Sequence, residues 1–433
     1  MALTTSSGAQ QLNLPRNTIV LASRGQQPGR EVTVDELQRL ALERNLDVLA
    51  TRQEIAAANG FLTQSRLRPN PGVDFSVGTG RPLGSAGERE IEIGYAHTFE
   101  LGGKRARRID VARVGVEIAE FQVADRERLL IVDLKVRYAE ALAAARLMEM
   151  LAELSELTTR TYRVAQQRVS EGEAAPVERA LLQVEVGRLT ADRLFAASAG
   201  ARAAGALKLA AGLDPQDLLS FRDNLTAARA SLSLDAAIAT ALERRPDLQA
   251  ARAEERRAEA DHSLARAGRT PDVIGLVRYA QTDSRFDQFG TTAAGQVVPV
   301  VDRDHTIAVG VSIPLPFANR NQGNIEAGRA QRQAAGLRRQ FLEESVRTEV
   351  RAAYAQYVAA SQALEAFDRD VVKQAQEGVT IIRASYDLGE IQLLDLLQEQ
   401  RRFLETQKAY TDILKEHYVA RAALEAAISA ELR

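Results

Sequence analysis

The sequence predicts a mainly α-helical chain with a small β part, arranged as two tandem structural repeats. An internal repeat gives the first sign, because Ala-Leu-Glu-Arg at residues 41–44 recurs at residues 241–244. Each copy also contains two short stretches in which apolar and polar residues alternate, which is the pattern of half-exposed strands. Finally, each copy contains helical stretches without proline that are far longer than a globular core needs.

The bulk composition argues against a nucleic-acid-binding protein and against transmembrane helices. Lysine plus arginine (56) nearly balance aspartate plus glutamate (58), so the chain lacks the basic excess of a nucleic-acid binder. Aromatic residues make up only 5% and tryptophan is absent, which suits thin, closely packed helices. No apolar run is long enough for a transmembrane helix, and residues 1–30 lack the pattern of a signal peptide.

The repeat sets the predicted boundaries. We predict an N-terminal arm at 1–32, a first repeat at 33–217, a linker at 218–232 and a second repeat at 233–433. The extra residues of the second repeat fall between about Thr282 and Asp304. Each repeat is read as a helix, a β-hairpin and a long helical hairpin.

In the first repeat, Thr33 and Glu36 form a capping box that predicts the start of a helix. That helix is expected to run to about Arg68, before Pro69. The hairpin follows at about 72–99, with strands at about 72–80 and 89–99.

The longest predicted helix covers about 105–170 and would span roughly 100 Å. Gly172 and Pro176 end it, and a second helix returns to about Leu213. The second repeat follows the same order, with strands at about 272–281 and 304–315, a helix at about 324–386 and a return to about Leu432.

Two corners join strands to long helices. Gly102 and Gly103 allow a sharp change of direction, and Pro314 and Pro316 cannot donate ladder bonds, so they mark a strand end. The run Gly-Gly-Lys-Arg at 102–105 lacks the other residues of a phosphate-binding loop. The basic residues that follow it, from Lys104 to Arg108, fit either a solvated helix start or a contact with lipid phosphate.

Strands of about ten alternating residues match those that cross a bilayer in a tilted barrel. Four strands are too few to close a pore, so we predict that three chains supply twelve. On this interpretation Thr282 to Asp304 is an extracellular loop, and the turn from Gly80 to Gly87 lies on the same side.

The sequence offers no catalytic constellation, cofactor loop or metal-ligand pair, so no enzyme, cofactor or metal site is predicted. Its four histidines are scattered. The main alternative to a channel is a periplasmic coiled-coil adaptor or a structural interaction protein without a pore. Solubility separates the two classes, because a channel needs detergent and keeps its trimer there.

Three stretches resemble the TolC-like outer membrane factors of tripartite efflux systems, and most of all their heavy-metal (cobalt–zinc–cadmium) branch. They are Phe99–Arg105, Ile313–Ile325, and Leu388–Glu390 with Leu394–Leu397. The resemblance implies an outer-membrane homotrimer that contacts outer-membrane lipid, a helical part in the periplasm, a periplasmic membrane-fusion adaptor and an inner-membrane RND-type pump. It also implies passive export, with heavy-metal cations as the expected cargo. The resemblance further implies that the N-terminal arm at 1–32 is an extended segment along the helical barrel. Many relatives anchor this arm through an acylated cysteine, and this sequence has no cysteine.

The same resemblance places a gate at the periplasmic end. It implies that Asp395 lines the aperture as an acidic ring, with Tyr386 as a hydrogen-bonding partner that holds the closed turn. Gln398 and Ile391 stand where relatives carry a second carboxylate and an arginine. The alternative is that Asp395 only pairs with a neighbouring helix, as Glu178 does in the first repeat. The adaptor is expected to dock on two turns, at Ser170, Glu171, Gly172 and Glu173, and at Asp387, Leu388, Gly389 and Glu390.

Overall fold

The computed structural model describes residues 30–83, 88–221, 225, 232–367 and 369–432. The predictions for residues 1–29, for 84–87 of the first hairpin turn and for most of the 218–232 linker therefore lie outside the described residues. The chain forms two compact units. Unit 1 comprises the described parts of Met1–Arg52, Gln122–Pro246 and Glu343–Arg433, and unit 2 comprises those of Gln53–Phe121 and Asp247–Leu342.

Most of the described residues are helical. The helices are α1 Val34–Arg44, α2 Leu46–Arg66, α3 Lys104–Ser170, α4 Pro176–Ala211, α5 Leu234–Arg244, α6 Pro246–Ala267, α7 Gln322–Ala366, α8 Arg369–Asp387 and α9 Leu393–Ile428. The 67 residues of α3 confirm the predicted long helix. Its counterpart, predicted as one helix over 324–386, is described instead as α7 and α8, with a bend at Phe367.

The described strands form two sheets. They are β1 Arg30–Val32, β2 Gly72–Thr79, β3 Arg89–Phe99, β4 Leu219–Phe221, β5 Val273–Thr291 and β6 Val297–Ser312. In unit 2, β2, β3, β5 and β6 form one antiparallel sheet in that order. The hairpins predicted in both repeats are therefore adjacent in a single sheet.

In each repeat the opening helix is two helices, which corrects the prediction of one helix to Arg68. Asn45 and Arg245 both have extended backbone between the two helices. The Asn45 side chain caps α2 by accepting hydrogen bonds from the N–H groups of Asp47 at 3.0 Å and Val48 at 3.3 Å. In the second repeat Pro246 keeps the residue before it out of the helical region.

A small parallel sheet of β1 and β4, which the sequence did not predict, joins the end of the N-terminal arm to the linker in unit 1. It packs on the main apolar core of that unit, which includes Leu37, Leu134, Tyr138 and Leu207. Each of these four side chains is at most 1% exposed. Two segments outside the repeats are thus fixed to the helices by burial of apolar surface.

The four-stranded sheet has two different faces. One cross-strand row consists of Phe75, Ile93, Tyr279 and Ile307, and all four are exposed. The next row, on the opposite face, contains Asp74, Gly94, Arg278 and Ala308. Alternation therefore gives the sheet an exposed apolar face and a polar face, as predicted for barrel strands.

The prediction of a loop from Thr282 to Asp304 is wrong. Strand β5 continues to Thr291 and β6 begins at Val297, so the inserted residues lengthen the hairpin. Its turn is closed by a hydrogen bond of 2.9 Å from the Thr292 N–H to the Gln296 carbonyl. The ladder between these strands shifts register between Arg285 and Phe289. Because this irregularity interrupts the alternation of apolar and polar residues, the sequence pattern did not predict a strand there.

Candidate gate and docking turns

The two predicted docking turns have the same backbone geometry. The N–H of Glu173 bonds the carbonyl of Arg168 at 2.8 Å, and the N–H of Glu390 bonds that of Ser385 at 2.9 Å. Gly172 and Gly389 hold left-handed conformations, with φ of 81° and 76°. Both turns are therefore Schellman motifs, in which glycine removes the steric cost of positive φ.

All eight predicted docking residues are exposed. They are Ser170, Glu171, Gly172, Glu173, Asp387, Leu388, Gly389 and Glu390. The Leu388 side chain is 75% exposed although it is apolar.

Below the turns, one apolar cluster joins the two repeats. We call it the turn cluster, and its buried members are Ala165, Leu182, Tyr386, Leu393 and Leu396. They come from all four helices that lead to or from the turns. Burial of these side chains holds the two turns together within unit 1.

Tyr386 lies in the turn cluster, and its hydroxyl donates a hydrogen bond to Glu178 Oε2 at 3.4 Å. Burial and, after it, the adjacent Glu178 carboxylate raise the pKa of Tyr386 above its ordinary value. The phenol therefore stays protonated and acts as a donor. The structure pairs Tyr386 with the first-repeat carboxylate, a partner the sequence analysis had not assigned to it.

Asp395, the aperture candidate, is exposed at the start of α9. Its Oδ2 accepts a hydrogen bond of 3.3 Å from the Gln392 N–H, so it caps its own helix. Gln398 lies one turn later and is also exposed, whereas Ile391 is half-buried against the turn cluster. Asp395 and Gln398 therefore occupy solvent-exposed positions one turn apart, whereas Tyr386 is buried in the turn cluster.

The predicted corners lie in unit 2. Gly102 and Gly103 have φ of 69° and 72°, and a Cβ on Gly102 would come within 2.8 Å of the Thr270 side chain. That position therefore admits only glycine without movement of its neighbour. Pro314 and Pro316 follow the last residue of β6 and are exposed, so they mark the strand end as predicted.

Among the described residues, no group of three or more His, Cys, Asp or Glu side chains could hold a metal ion. The helices in the described part of the chain include none with the length and apolar character needed to cross a membrane.

A sequence model of the family described as "Outer membrane efflux protein" matches residues 37–213 and 237–430. The two matched segments coincide with the two repeats. The chain is also similar to the cobalt-zinc-cadmium resistance protein CzcC of Cupriavidus metallidurans, with 24% identity over 391 residues that cover 90% of this chain and 88% of CzcC. The nickel-cobalt-cadmium resistance protein NccC of Alcaligenes xylosoxydans xylosoxydans is 27% identical over 315 residues, covering 69% and 67% of the two chains.

Two solved structures show the same fold. A structure of CusC superimposes with a TM-score of 0.72 at 17% identity, over 95% of this chain and 96% of CusC. The outer-membrane channel OprN gives a TM-score of 0.72 at 19% identity, over 92% and 90% of the two chains. The helical hairpins and the four-stranded sheet are thus those of TolC-like channels.

Proposed function

The chain belongs to the outer membrane efflux protein family, and from that premise we propose that it is the exit duct of a tripartite efflux pump. It lies in the Gram-negative outer membrane, with its helical part in the periplasm. Proteins of this family are efflux channels and not enzymes. In the proposed role, substrates move passively through the duct, driven by an inner-membrane RND-type pump that connects through a periplasmic membrane-fusion adaptor.

The sheet is the observation that carries this proposal. Its apolar face is solvent-exposed in the single chain, with Ile307 74% exposed. Contact of such a large apolar face with water is unfavourable, so the face marks an interaction site. Lipid tails would cover it, while the opposite face would line an aqueous passage. The outer edges of β2 and β6 have no partner strand among the described residues. Three copies joined edge to edge supply twelve strands and remove all open edges, so we propose a homotrimer.

Heavy-metal cations are the proposed cargo. CzcC and NccC carry metals in their names, and the polar face of the sheet supports cation passage by its charge. That face carries Asp74, Glu90, Glu92 and Asp304 against Arg278, which lies 3.2 Å from Glu92. An excess of carboxylates along a pore favours cations over anions.

The turns supply the proposed gate and dock. Three copies of the exposed Asp395 would form an acidic ring at the periplasmic end, and the hydrogen bond from Tyr386 to Glu178 would hold the second-repeat helices against the first. The exposed turns, with Leu388 at the tip of one, offer the adaptor both backbone and apolar contacts.

A matched pair of variants tests the duct. Ile307→Lys places a charge on the apolar face, and Thr306→Lys places the same charge on the polar face one residue away. Both positions are exposed in the single chain, so a water-soluble protein should tolerate both. For a membrane sheet, a lysine facing lipid costs about 2–4 kcal/mol near the midplane.

The measurements are trimer mass in detergent, conductance in planar bilayers and cobalt, zinc and cadmium tolerance of a strain lacking the gene. We expect the native protein and Thr306→Lys to assemble, conduct and restore tolerance, and Ile307→Lys to fail in assembly. A monomer that stays soluble without detergent would instead support the coiled-coil adaptor. Conductance without any change in metal tolerance would reject the metal cargo but would not contradict the proposed duct.

A further inference from the structure

Four segments of unit 2 meet where helices join strands, and we call them the basic rim. They are residues 65–71, 100–108, 265–272 and 314–322. Arg105 Nε donates to the Arg66 carbonyl at 2.8 Å, and the Leu101 N–H donates to Asp272 Oδ1 at 3.0 Å. Asn321 Nδ2 donates to the Ala265 carbonyl at 2.7 Å. These contacts place all four segments along one end of the sheet.

The basic rim is strongly cationic in a chain that is nearly neutral. It contains nine basic residues and two acidic ones, whereas the whole chain has a net charge of −2. Both carboxylates are already paired, Glu100 with Arg108 at 2.6 Å and Asp272 with Lys104 at 2.8 Å. The hydrogen bond from Arg108 holds the pKa of Glu100 below its ordinary value, so that carboxylate stays ionised and paired.

Seven arginines of the rim remain without a carboxylate from the rim. Arg107 approaches Asp110 at 4.0 Å, and the other six have no ion-pair partner among the described residues. Arg66 and Arg266 lie in the last turns of α2 and α6, where the helix dipole favours a cation. That effect does not account for Arg68, Arg269 or Arg320, which lie beyond the helices and are exposed.

Large apolar side chains lie exposed beside these arginines. They are Leu67, Phe99, Leu101, Ile313, Leu315 and Phe317, and their exposed fractions run from 42% to 80%. Phe99 pairs with Val273 in the sheet, so this apolar surface is continuous with the apolar face. Apolar side chains next to unpaired arginines are typical of a protein surface at the boundary between acyl chains and phosphates.

We propose that the basic rim binds the headgroups of anionic phospholipids in the periplasmic leaflet of the outer membrane. The inference rests on the proposed function, which places the sheet in the bilayer. Helices α3 and α7 start at the rim, so the rim lies on the periplasmic side. A guanidinium can donate two parallel hydrogen bonds to one phosphate, and the neighbouring apolar side chains can contact the acyl chains of the same lipid.

Native mass spectrometry of the detergent-purified full-length trimer tests this proposal. The protein is offered phosphatidylglycerol and phosphatidylcholine of the same chain length in equal amounts. The rim variant carries Arg66→Gln, Arg68→Gln, Arg269→Gln and Arg320→Gln, and a second variant carries lysine at the same four positions. The matched control changes four exposed arginines of unit 1 to glutamine, at Arg163, Arg179, Arg193 and Arg202.

We expect the native protein to retain phosphatidylglycerol at least about fivefold over phosphatidylcholine, the preference that one arginine near an anionic lipid gives. The glutamine rim variant, which keeps Arg105, Arg107 and Arg266, should lose at least half of the native preference, while the lysine variant and the control keep most of it. Bilayer conductance of each preparation shows whether the trimer is intact.

A conducting native trimer without lipid preference would overturn the inference about the basic rim but would not contradict the proposed duct. A native protein that neither inserts nor conducts would overturn the proposed function itself. Persistence of the preference in the glutamine rim variant would assign the lipid to another surface. Full displacement of phosphatidylglycerol by glycerol phosphate at equal concentration would assign the rim to free phosphate and reject the lipid.

Discussion

The turn after α3 and the turn after α8 share one backbone and use the following carboxylate differently. In the first, Glu178 accepts a hydrogen bond from Tyr386 of the other repeat. In the second, the equivalent Asp395 accepts from its own helix and faces solvent. A Schellman turn depends on glycine and backbone hydrogen bonds, so the repeats could keep it while their side chains diverged. From this difference we propose that the first turn serves as an anchor and that the second turn faces the passage.

The largest expected effect concerns the part that the two turns share. Leu182→Ala and Leu396→Ala each remove a fully buried leucine of the turn cluster, from the first and second repeat respectively. Each should lower the free energy of unfolding of the turn cluster and its two turns by about 2–5 kcal/mol, measured by hydrogen exchange of the turn amides. Exposed Val164 supplies the control, since Val164→Ala should change stability by less than about 0.5 kcal/mol. Loss of protection in only one turn after either leucine change would show that the turns are independent.

The two turn glycines should respond equally. A Cβ at Gly172 or Gly389 would meet nothing within 4 Å, so alanine brings only the cost of positive φ. We expect each substitution to destabilise its turn by about 1–2 kcal/mol, seen as faster cleavage by added protease. Gly187→Ala, in the middle of α4 with equally open surroundings, should instead stabilise by about 0.5–1 kcal/mol. Clearly unequal effects at the two turns would contradict their geometric equivalence.

Tyr386→Phe removes the hydrogen bond between the repeats and keeps the ring in the turn cluster. The expected loss is about 0.5–1.5 kcal/mol of local stability, together with a higher conductance in planar bilayers as the second-repeat helices separate from Glu178. Tyr162 packs on the same cluster, so Tyr162→Phe is the control and should leave conductance unchanged. Equal conductance of the native and Tyr386→Phe channels would show that this hydrogen bond does not hold the channel closed.

The smallest expected effect on stability belongs to Asp395→Ala, about 0.5–1 kcal/mol from the lost helix cap. The same substitution should change the single-channel conductance and weaken the preference for cations. Glu178→Ala is the matched variant, which should act on gating and leave ion preference intact. Unchanged conductance and unchanged preference after Asp395→Ala would rule out an aperture role and favour simple helix capping.

Much of the fold was predictable because it follows from short-range patterns. The alternation from Val73 and from Ile91 gave the first hairpin, and the absence of proline gave α3. Glycine at 102 and 103 gave the corner. The break before Pro246 also has a sequence signal, because proline keeps the residue before it out of the helical region. Its counterpart at Asn45 has only a side-chain cap as its signal.

The rest depends on contacts between distant residues. The three-residue strands β1 and β4 have no periodicity and form only by pairing with each other across the whole first repeat. The ladder irregularity between Arg285 and Phe289 interrupts the alternation of β5, so a real strand read as a loop. Tyr386 and Glu178 are 208 residues apart, and no local pattern predicts their hydrogen bond. The charge of the basic rim likewise appears only when four separated segments meet.

The long β5–β6 hairpin has a consequence for how the protein can vary. Asp283 is the last residue of β5 that pairs with β3, and beyond it, within the described part of the chain, the hairpin bonds only to itself up to Thr291. Because side chains alternate with a period of two, insertion of a pair of residues in each arm lengthens the hairpin and keeps every side chain on its face. A single inserted residue would exchange the faces. The tip between Thr292 and Gln296 is therefore a modular site, where an inserted epitope should be displayed while the register of the sheet below is conserved.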